Sequence, residues 1–273
     1  MQIDQLKQHA NSVRQKIVTM VHAAQSGHPG GSLSATDIIT YLYFEVMNVN
    51  EENINSTNRN RFVLSKGHAS PALYGIIDEL GLLNEDILTF RQVGSNLQGH
   101  PSINAVAGVD MSTGSLGQGC SAAVGMALAN KLDDNGFNVY TLIGDGESEE
   151  GLVWEAAMAA AHYKLDNLCF IIDLNHLQID GRIENVMNPN SHIEKFKAFG
   201  FNVIECDGHD FESIANAFAF FDENKGSEKP TCIVANTIKG KGVSFMEDNA
   251  GWHGVAPNDE QYEAAMAELK EAC

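Results

Sequence analysis

Basic residues are scarce in this chain: 17 Lys and Arg stand against 36 Asp and Glu, a formal net charge of −19. That balance argues against nucleic acid or an anionic membrane surface as a partner, because nonspecific binding to either needs clustered cations. It leaves an anionic small molecule open, since local dipoles and a bound cation can reverse the mean field. Cysteine is sparse as well. The five cysteines, at 120, 169, 206, 232 and 273, include no pair at Cys-x-x-Cys spacing, which excludes a zinc knuckle or redox pair of that type. Their odd, dispersed set, with Cys169 and Cys232 inside apolar runs, fits a reducing compartment and predicts a cytoplasmic protein. No run approaches the ~18 apolar residues of a membrane span. Met1–Val21 is amphipathic and mixed in charge, without the apolar core of a signal peptide. A dinucleotide fingerprint is missing too: Gly114-Ser115-Leu116-Gly117-Gln118-Gly119 has the wrong glycine spacing and follows no convincing strand.

What is present is an alternation of helix and strand patterns over 273 residues, 44% of them apolar. Ile3, Leu6, Val13, Ile17 and Val21 recur at helical spacing, and a breaker cluster, Ser26-Gly27-His28-Pro29-Gly30-Gly31, follows. Further helices are predicted at 37–47, 71–80, 121–130, 152–162, 211–221 and 261–271. Strands are predicted at 61–65, 139–143, 168–173, 203–206 and 231–236, with a polar loop at 224–229. Near-continuous apolar strands between helices predict an α/β fold with a mainly parallel central sheet and helices on both faces. No repeat, low-complexity tract or linker divides the chain, so a single domain spanning 1–273 is expected.

Open parallel sheets bind ligands beyond the carboxyl ends of their strands. Two such ends stand out. Gly144-Asp145-Gly146-Glu147 follows one apolar strand, and Asp173-Leu174-Asn175 ends the next. The thirty residues from Asp145 to Asn175 make about one strand–helix–strand unit, which can bring two oxygen ligands to neighbouring strand tips. One carboxylate, one amide oxygen and the Leu177 backbone carbonyl form a hard oxygen set of modest charge. Mg2+ favours such a set when water and phosphate complete it. Taken alone, Gly-Asp-Gly is equally well a turn.

The full run changes that balance. Gly144-Asp145-Gly146-Glu147, Glu150-Gly151, Trp154-Glu155-Ala156, Asn167-Leu168, Asp173-Leu174-Asn175 and Asp180-Gly181 together resemble the thiamine diphosphate fingerprint, and more narrowly that of transketolases. Ser26-Gly27-His28-Pro29-Gly30, Leu64-Ser65-Lys66-Gly67-His68-Ala69, Gly99-His100-Pro101 and Thr113–Gly119 agree, so the resemblance runs from about Leu6 to about Tyr262. It implies thiamine diphosphate as cofactor with Mg2+, for which Ca2+ or Mn2+ can stand in. Asp145, Asn175 and Leu177 match the metal ligands. His68 and His253 match histidines near the diphosphate, and Gly146, Glu147 and Asn175 fall within the cofactor-binding run. Gly114, Ser115 and Leu116 match the loop beside the cofactor, with Ser115 where many full-length relatives carry Pro. Ile179 matches an apolar support for the bent cofactor. His28 and His100 match histidines that contact the donor sugar, and are the expected catalytic pair. Glu150 and Glu155 match interface glutamates; acids in a first helical turn are the alternative. Lys239 and Lys241 could approach a phosphate or lie in a solvated loop. His9, His22, His162, His176, His192 and His209 are assigned no role.

In transketolase-like chains the glutamate that helps activate the cofactor lies in a second, pyrimidine-binding domain, absent from this sequence. The resemblance is therefore to the N-terminal subunit of a split transketolase, acting on sugar phosphates with a C-terminal subunit, as α2β2. The alternative is a subunit of another thiamine diphosphate enzyme, either a transketolase for an unusual sugar or a 2-oxo acid dehydrogenase α subunit.

Overall fold

The strand patterns come first in placing the site. In a computed structural model, which describes residues 1–272, five segments form one parallel sheet: β1 (Arg61–Leu64), β2 (Val139–Gly144), β3 (Leu168–Leu174), β6 (Asn202–Asp207) and β7 (Thr231–Asn236). Their order is β1-β2-β3-β7-β6. The first three strands step in one direction across the sheet. The chain then crosses to the far edge and returns, so the direction of winding reverses between β3 and β7. Two-residue strands β4 (Leu177–Gln178) and β5 (Gly181–Arg182) pair as a small antiparallel hairpin directly after β3.

Strand periodicity divides the core between two faces, because alternate side chains point to opposite sides. Tyr140, Leu142, Cys169, Ile171, Ile233 and Ala235 face one apolar cluster. That cluster is completed by α1 (Ile3–Ala24), α2 (Pro29–Tyr41), α3 (Ser70–Glu79), α8 (Phe211–Glu223) and α9 (Asp259–Glu271). Val139, Ile143, Leu168, Phe170, Ile172 and Val234 face the other. There α4 (Gln118–Asp133), α5 (Gly151–His162) and α7 (His192–Ala198) cover the sheet. The short α6 (Ile183–Val186) lies between the hairpin and α7. The expected α/β architecture is the one observed.

One helix boundary differs from the pattern. The breaker cluster predicted a helix from 37, yet α2 begins eight residues earlier, at Pro29, with His28 as the preceding cap residue. Proline suits the first helical position, where its missing N–H bonds nothing anyway. Of the two glycines that follow, Gly30 is required by crowding rather than by backbone freedom, and Gly31 is in tight contact. A Cβ on Gly30 would fall 2.8 Å from the Trp252 carbonyl oxygen, and one on Gly31 would fall 3.3 Å from Lys66 Nζ. The helix also leaves α geometry early, ending in a π turn at Leu42–Val46. The hairpin, α6 and α7 were not legible as elements.

Candidate cofactor site

Asp145 and Asn175 do meet at neighbouring strand tips, where β2 and β3 run in register from Val139↔Leu168 to Gly144↔Asp173. They line a cleft of about 310 Å³ at the winding reversal, where open α/β sheets bind ligands. Its floor is Asp145, Asn175 and Leu177; its walls include His28, His68, His253, Gly114, Leu116 and Ile179. Eleven residues of the expected site thus converge, since Gly146 and Glu147 line it too. His100 and Ser115 stand just outside the lining. A Cβ on Gly114 would lie 3.0 Å from the His100 ring, so the left-handed φ of 145° at Gly114 and its bare α-carbon let that loop approach. Glu150 and Glu155 are exposed at the start of α5. Glu150 precedes that helix without a side-chain capping bond, so capping does not explain it.

The Asp145 carboxylate is 2% exposed. Its Oδ1 accepts from the Gly146 N–H at 2.7 Å and its Oδ2 from the His176 N–H at 2.5 Å. Burial, then the nearby Asp173 charge, raises its pKa to about 6. Asn175 Oδ1 accepts from the Leu177 N–H at 3.1 Å, while its Nδ2 lies 3.4 Å from Asp173 Oδ2. The Leu177 carbonyl accepts from Lys239 Nζ at 2.8 Å, and the same ammonium lies 2.9 Å from His253 Nδ1. Lys239 is 2% exposed and both those partners are neutral. Burial and the Lys66 charge lower its pKa to about 8, against the pull of Asp145 and Asp173.

Lys66, Gly31, Gly144 and Gln178 line the cleft without having been singled out in sequence, and Lys239, left open there, is fully part of it. The available signal was a lysine directly after an apolar strand, followed by Gly67-His68. Lys66 Nζ bonds Asp173 Oδ2 directly beneath the cleft, and Ser34 Oγ and Thr237 Oγ1 also donate to that carboxylate. Burial alone would push Asp173 up, but the Lys66 charge and these donors hold its pKa below the usual carboxylate value.

Three histidines form a cage over one end. The His28, His68 and His253 rings lie 5.2 to 5.5 Å apart by centroid. Burial is the leading cause of depression in each, taking His28 to about 4 and His253 to about 3, with His68 also well below its ordinary value. All three are therefore neutral donors and acceptors at physiological pH. Since Lys239 donates to His253 Nδ1, the His253 proton sits on Nε2. His28 Nδ1 is buried with no partner.

Glu147 has a supporting geometry. Its Oε1 accepts from Ser65 Oγ at 2.5 Å and the Gly117 N–H at 2.9 Å, and its Oε2 from the Gly144 N–H at 3.0 Å. It braces the 113–117 loop against the β1 and β2 tips. Two histidines assigned no role are also connectors, His192 buried and His209 half-buried. His192 Nε2 lies 2.7 Å from Ser148 Oγ, which donates to the Asp145 carbonyl at 2.5 Å. His209 Nδ1 meets Asp37 Oδ2 at 2.7 Å, its Nε2 accepts from the Ile238 N–H at 2.8 Å, and Arg14 pairs with the same carboxylate at 2.5 Å.

These features fit a diphosphate with a divalent cation. Two buried lysines and neutral imidazole donors suit phosphate oxygens, and an unpartnered buried nitrogen calls for a polar ligand. Among the described residues no cluster of three or more His, Cys, Asp or Glu could hold a metal by itself. The donor set is one carboxylate, one amide and one carbonyl, which matches a hard cation that shares its shell with phosphate. The site is thus of the kind that anchors a diphosphate cofactor at a sheet's switch point.

Comparison with known proteins gives the class its family. The family described as transketolase, thiamine diphosphate binding domain, matches residues 5–270. The chain is 43% identical over 272 residues to an apulose-4-phosphate transketolase subunit of Phocaeicola vulgatus, covering 99% of this chain and 96% of that one. It is also 43% identical over 271 residues to a 6-deoxy-6-sulfo-D-fructose transketolase subunit, SqwG, of a Clostridium species, covering 98% and 97%. The solved transketolase of Campylobacter jejuni superposes with a TM-score of 0.90 at 37% identity, covering 99% of this chain and 43% of that one. The chain spans less than half the length of that transketolase. It belongs to the transketolase family and carries its N-terminal, thiamine diphosphate-binding part. Its cofactor is accordingly thiamine diphosphate and its class that of a transferase, as the motifs implied.

Proposed function

We propose that this chain is the diphosphate-anchoring subunit of a split transketolase that moves a two-carbon ketol unit from a ketose phosphate to an aldose phosphate. The observation that carries this is the switch-point cleft, where Asp145 and Asn175 face the buried, carboxylate-free Lys239. The subunit relatives, covered over 96% and 97% of their length, support the split arrangement. In this reading residues 1–273 are one diphosphate-binding domain, and a C-terminal subunit brings the pyrimidine-binding domain, in an α2β2 assembly. Glu150, just before α5, and Glu155, on it, are exposed and face that assembly's interface.

Asp145, Asn175 and the Leu177 carbonyl would hold Mg2+, or Ca2+ or Mn2+ in its place. The Leu177 carbonyl accepts from Lys239 and has a second lone pair with which it would meet the ion. His68, His253 and the Asp145–Glu147 turn complete the anchor, while Gly114, Ser115, Leu116 and Ile179 support the cofactor's shape. Bound thiamine diphosphate supplies the carbanion chemistry. His28 and His100 orient the donor's hydroxyls, and the depressed pKa of each keeps its ring neutral near neutral pH, able both to donate and to accept a hydrogen bond. The buried free cysteines at 120, 169, 206 and 232 support a reducing, cytoplasmic setting. Among the described residues no helix is long and apolar enough to cross a membrane.

The names of the two subunit relatives favour a second reading within the same class, a transketolase whose donor is an uncommon sugar rather than a common pentose phosphate. The test is to assay two-carbon transfer with thiamine diphosphate and Mg2+, using this chain alone, then with a C-terminal partner, across several ketose phosphates. Transfer is expected only from the mixture. Full activity from the chain alone would sink the split arrangement, and none from any mixture would sink the reaction.

A further inference from the structure

One cation near the cleft remains unaccounted for. Arg91 sits in the loop before Gly99-His100 with a left-handed φ of 59°, its N–H donating to the Leu97 carbonyl at 2.8 Å. Such a backbone is costly for a residue other than glycine unless its surroundings hold it there. They do: its Nη1 donates to Ser26 Oγ, two residues before His28. Its guanidinium also packs against Gly99, where an added Cβ would fall 2.5 Å from Nη2. The neighbouring Phe90, 1% exposed, is close behind Gly27, where a Cβ would lie 3.3 Å from its ring. One side chain therefore spans the two loops that present His28 and His100. Among the described residues no carboxylate pairs with it.

We propose that Arg91 is a positioning residue for the donor-sugar site, clamping the Ser26-Gly27-His28 loop to the Gly99-His100 loop so that the two imidazoles hold one spacing. The inference rests on reading His28 and His100 as the donor contacts. A guanidinium fork suits this task, because Nη1 reaches Ser26 while the Nε–Nη2 side packs against Gly99; a lysine ammonium could do only the first. The clamp has an electrostatic consequence as well. Arg91 is the charge that faces His100, where it adds to burial in lowering the imidazole pKa. At His28 it acts after burial and alongside His100 and Lys239, with the His68 and His253 rings packed against the same imidazole.

The test combines kinetics of the complete two-subunit enzyme with imidazole NMR titrations of this full chain alone. R91M is expected to raise the donor KM and lower kcat, for a loss in kcat/KM of roughly 10²-fold, as for an ångström-scale misplacement. Thiamine diphosphate affinity should stay within about twofold of wild type, since uniform loss would mark general damage. On the isolated chain, R91M should move the His100 midpoint up toward the ordinary value of about 6.5. R91K should keep the wild-type midpoints while recovering only part of the donor KM. S26A removes the tether alone, so it should raise the donor KM with midpoints unmoved; it carries the kinetic test if R91M does not fold. Unmoved midpoints in R91M, an unchanged donor KM in R91M or S26A, or an equal loss of cofactor affinity overturns the clamp. If no donor is turned over even by the wild-type enzyme, the functional reading fails. The titrations then decide on Arg91 without it: a moved His100 midpoint upholds the loop contact and an unmoved one ends it.

Discussion

Two aspartates end neighbouring strands, and they are treated in opposite ways. Asp173 is wholly buried and receives Lys66, Ser34 and Thr237, which together hold its carboxyl below the usual range. Asp145 is almost as buried but receives two backbone N–H groups, and its pKa rises to about 6. The two are linked by the Asp145 N–H, which donates to the Asp173 carbonyl at 3.3 Å. The contrast separates a carboxylate that holds the sheet ends together from one whose charge is left partly uncompensated. A buried anion in that second condition destabilises the fold unless a cation joins it. That is what a metal ligand needs before its metal arrives.

The comparison can be broken at either residue. The largest effect is expected at the satisfied pair: K66M should cost about 3–5 kcal/mol of folding stability, because it strands a buried charge. Urea unfolding measures it. Asp173 has a depressed pKa, so its contribution is present above the ordinary carboxylate value of 3.8 and lost as pH falls through the lower, folded value. K66M should accordingly flatten the acid limb of the stability profile; a wild-type profile would show that Asp173 does not depend on the lysine. Next comes D145N, which should remove about 2–5 kcal/mol of Mg2+-dependent cofactor binding. It should leave the cofactor-free chain as stable as wild type or more so at neutral pH. Its raised pKa means that the wild-type carboxylate costs stability progressively as pH climbs from the ordinary 3.8 to about 6, and in full above that. Calorimetric titration with unchanged affinity would remove Asp145 from the metal site. The mildest perturbation is pH itself. Cofactor affinity should be level above about 6 and fall by roughly tenfold per unit below it, as protons compete for Asp145. A flat profile down to pH 5 would show that this carboxylate is not the titrating ligand.

The same contrast explains what could be read in sequence. The apolar runs at Val139–Gly144 and Leu168–Leu174 showed the strands, and the polar residues at their ends pointed to the cleft they line, because period and position are local properties. Lys66 was harder to place: a lysine in a Ser-Lys-Gly-His loop looks solvated until a distant carboxylate buries it. Glu147 was placed at the cofactor by its motif, whereas its brace to Ser65 and Gly117 depends on strands β1 and β2 lying side by side. His192 and His209 carried no local signal, since each acquires its partner across more than forty residues. The start of α2 was misread because the glycines that look like helix breakers are there to admit Trp252 and Lys66.

The Arg14–Asp37–His209 arrangement, with its ion pair buried, has a reach beyond its own packing. Arg14 Nε also donates to the Lys241 carbonyl at 3.1 Å, and His209 holds the N–H of Ile238, the residue before Lys239. The loop that carries Lys239 is thus tethered on both sides to the two N-terminal helices. A lesion in α1, remote from the cleft in sequence, would surface as slack in the cleft wall that Lys239 forms. The first helix is in effect part of the cleft's harness.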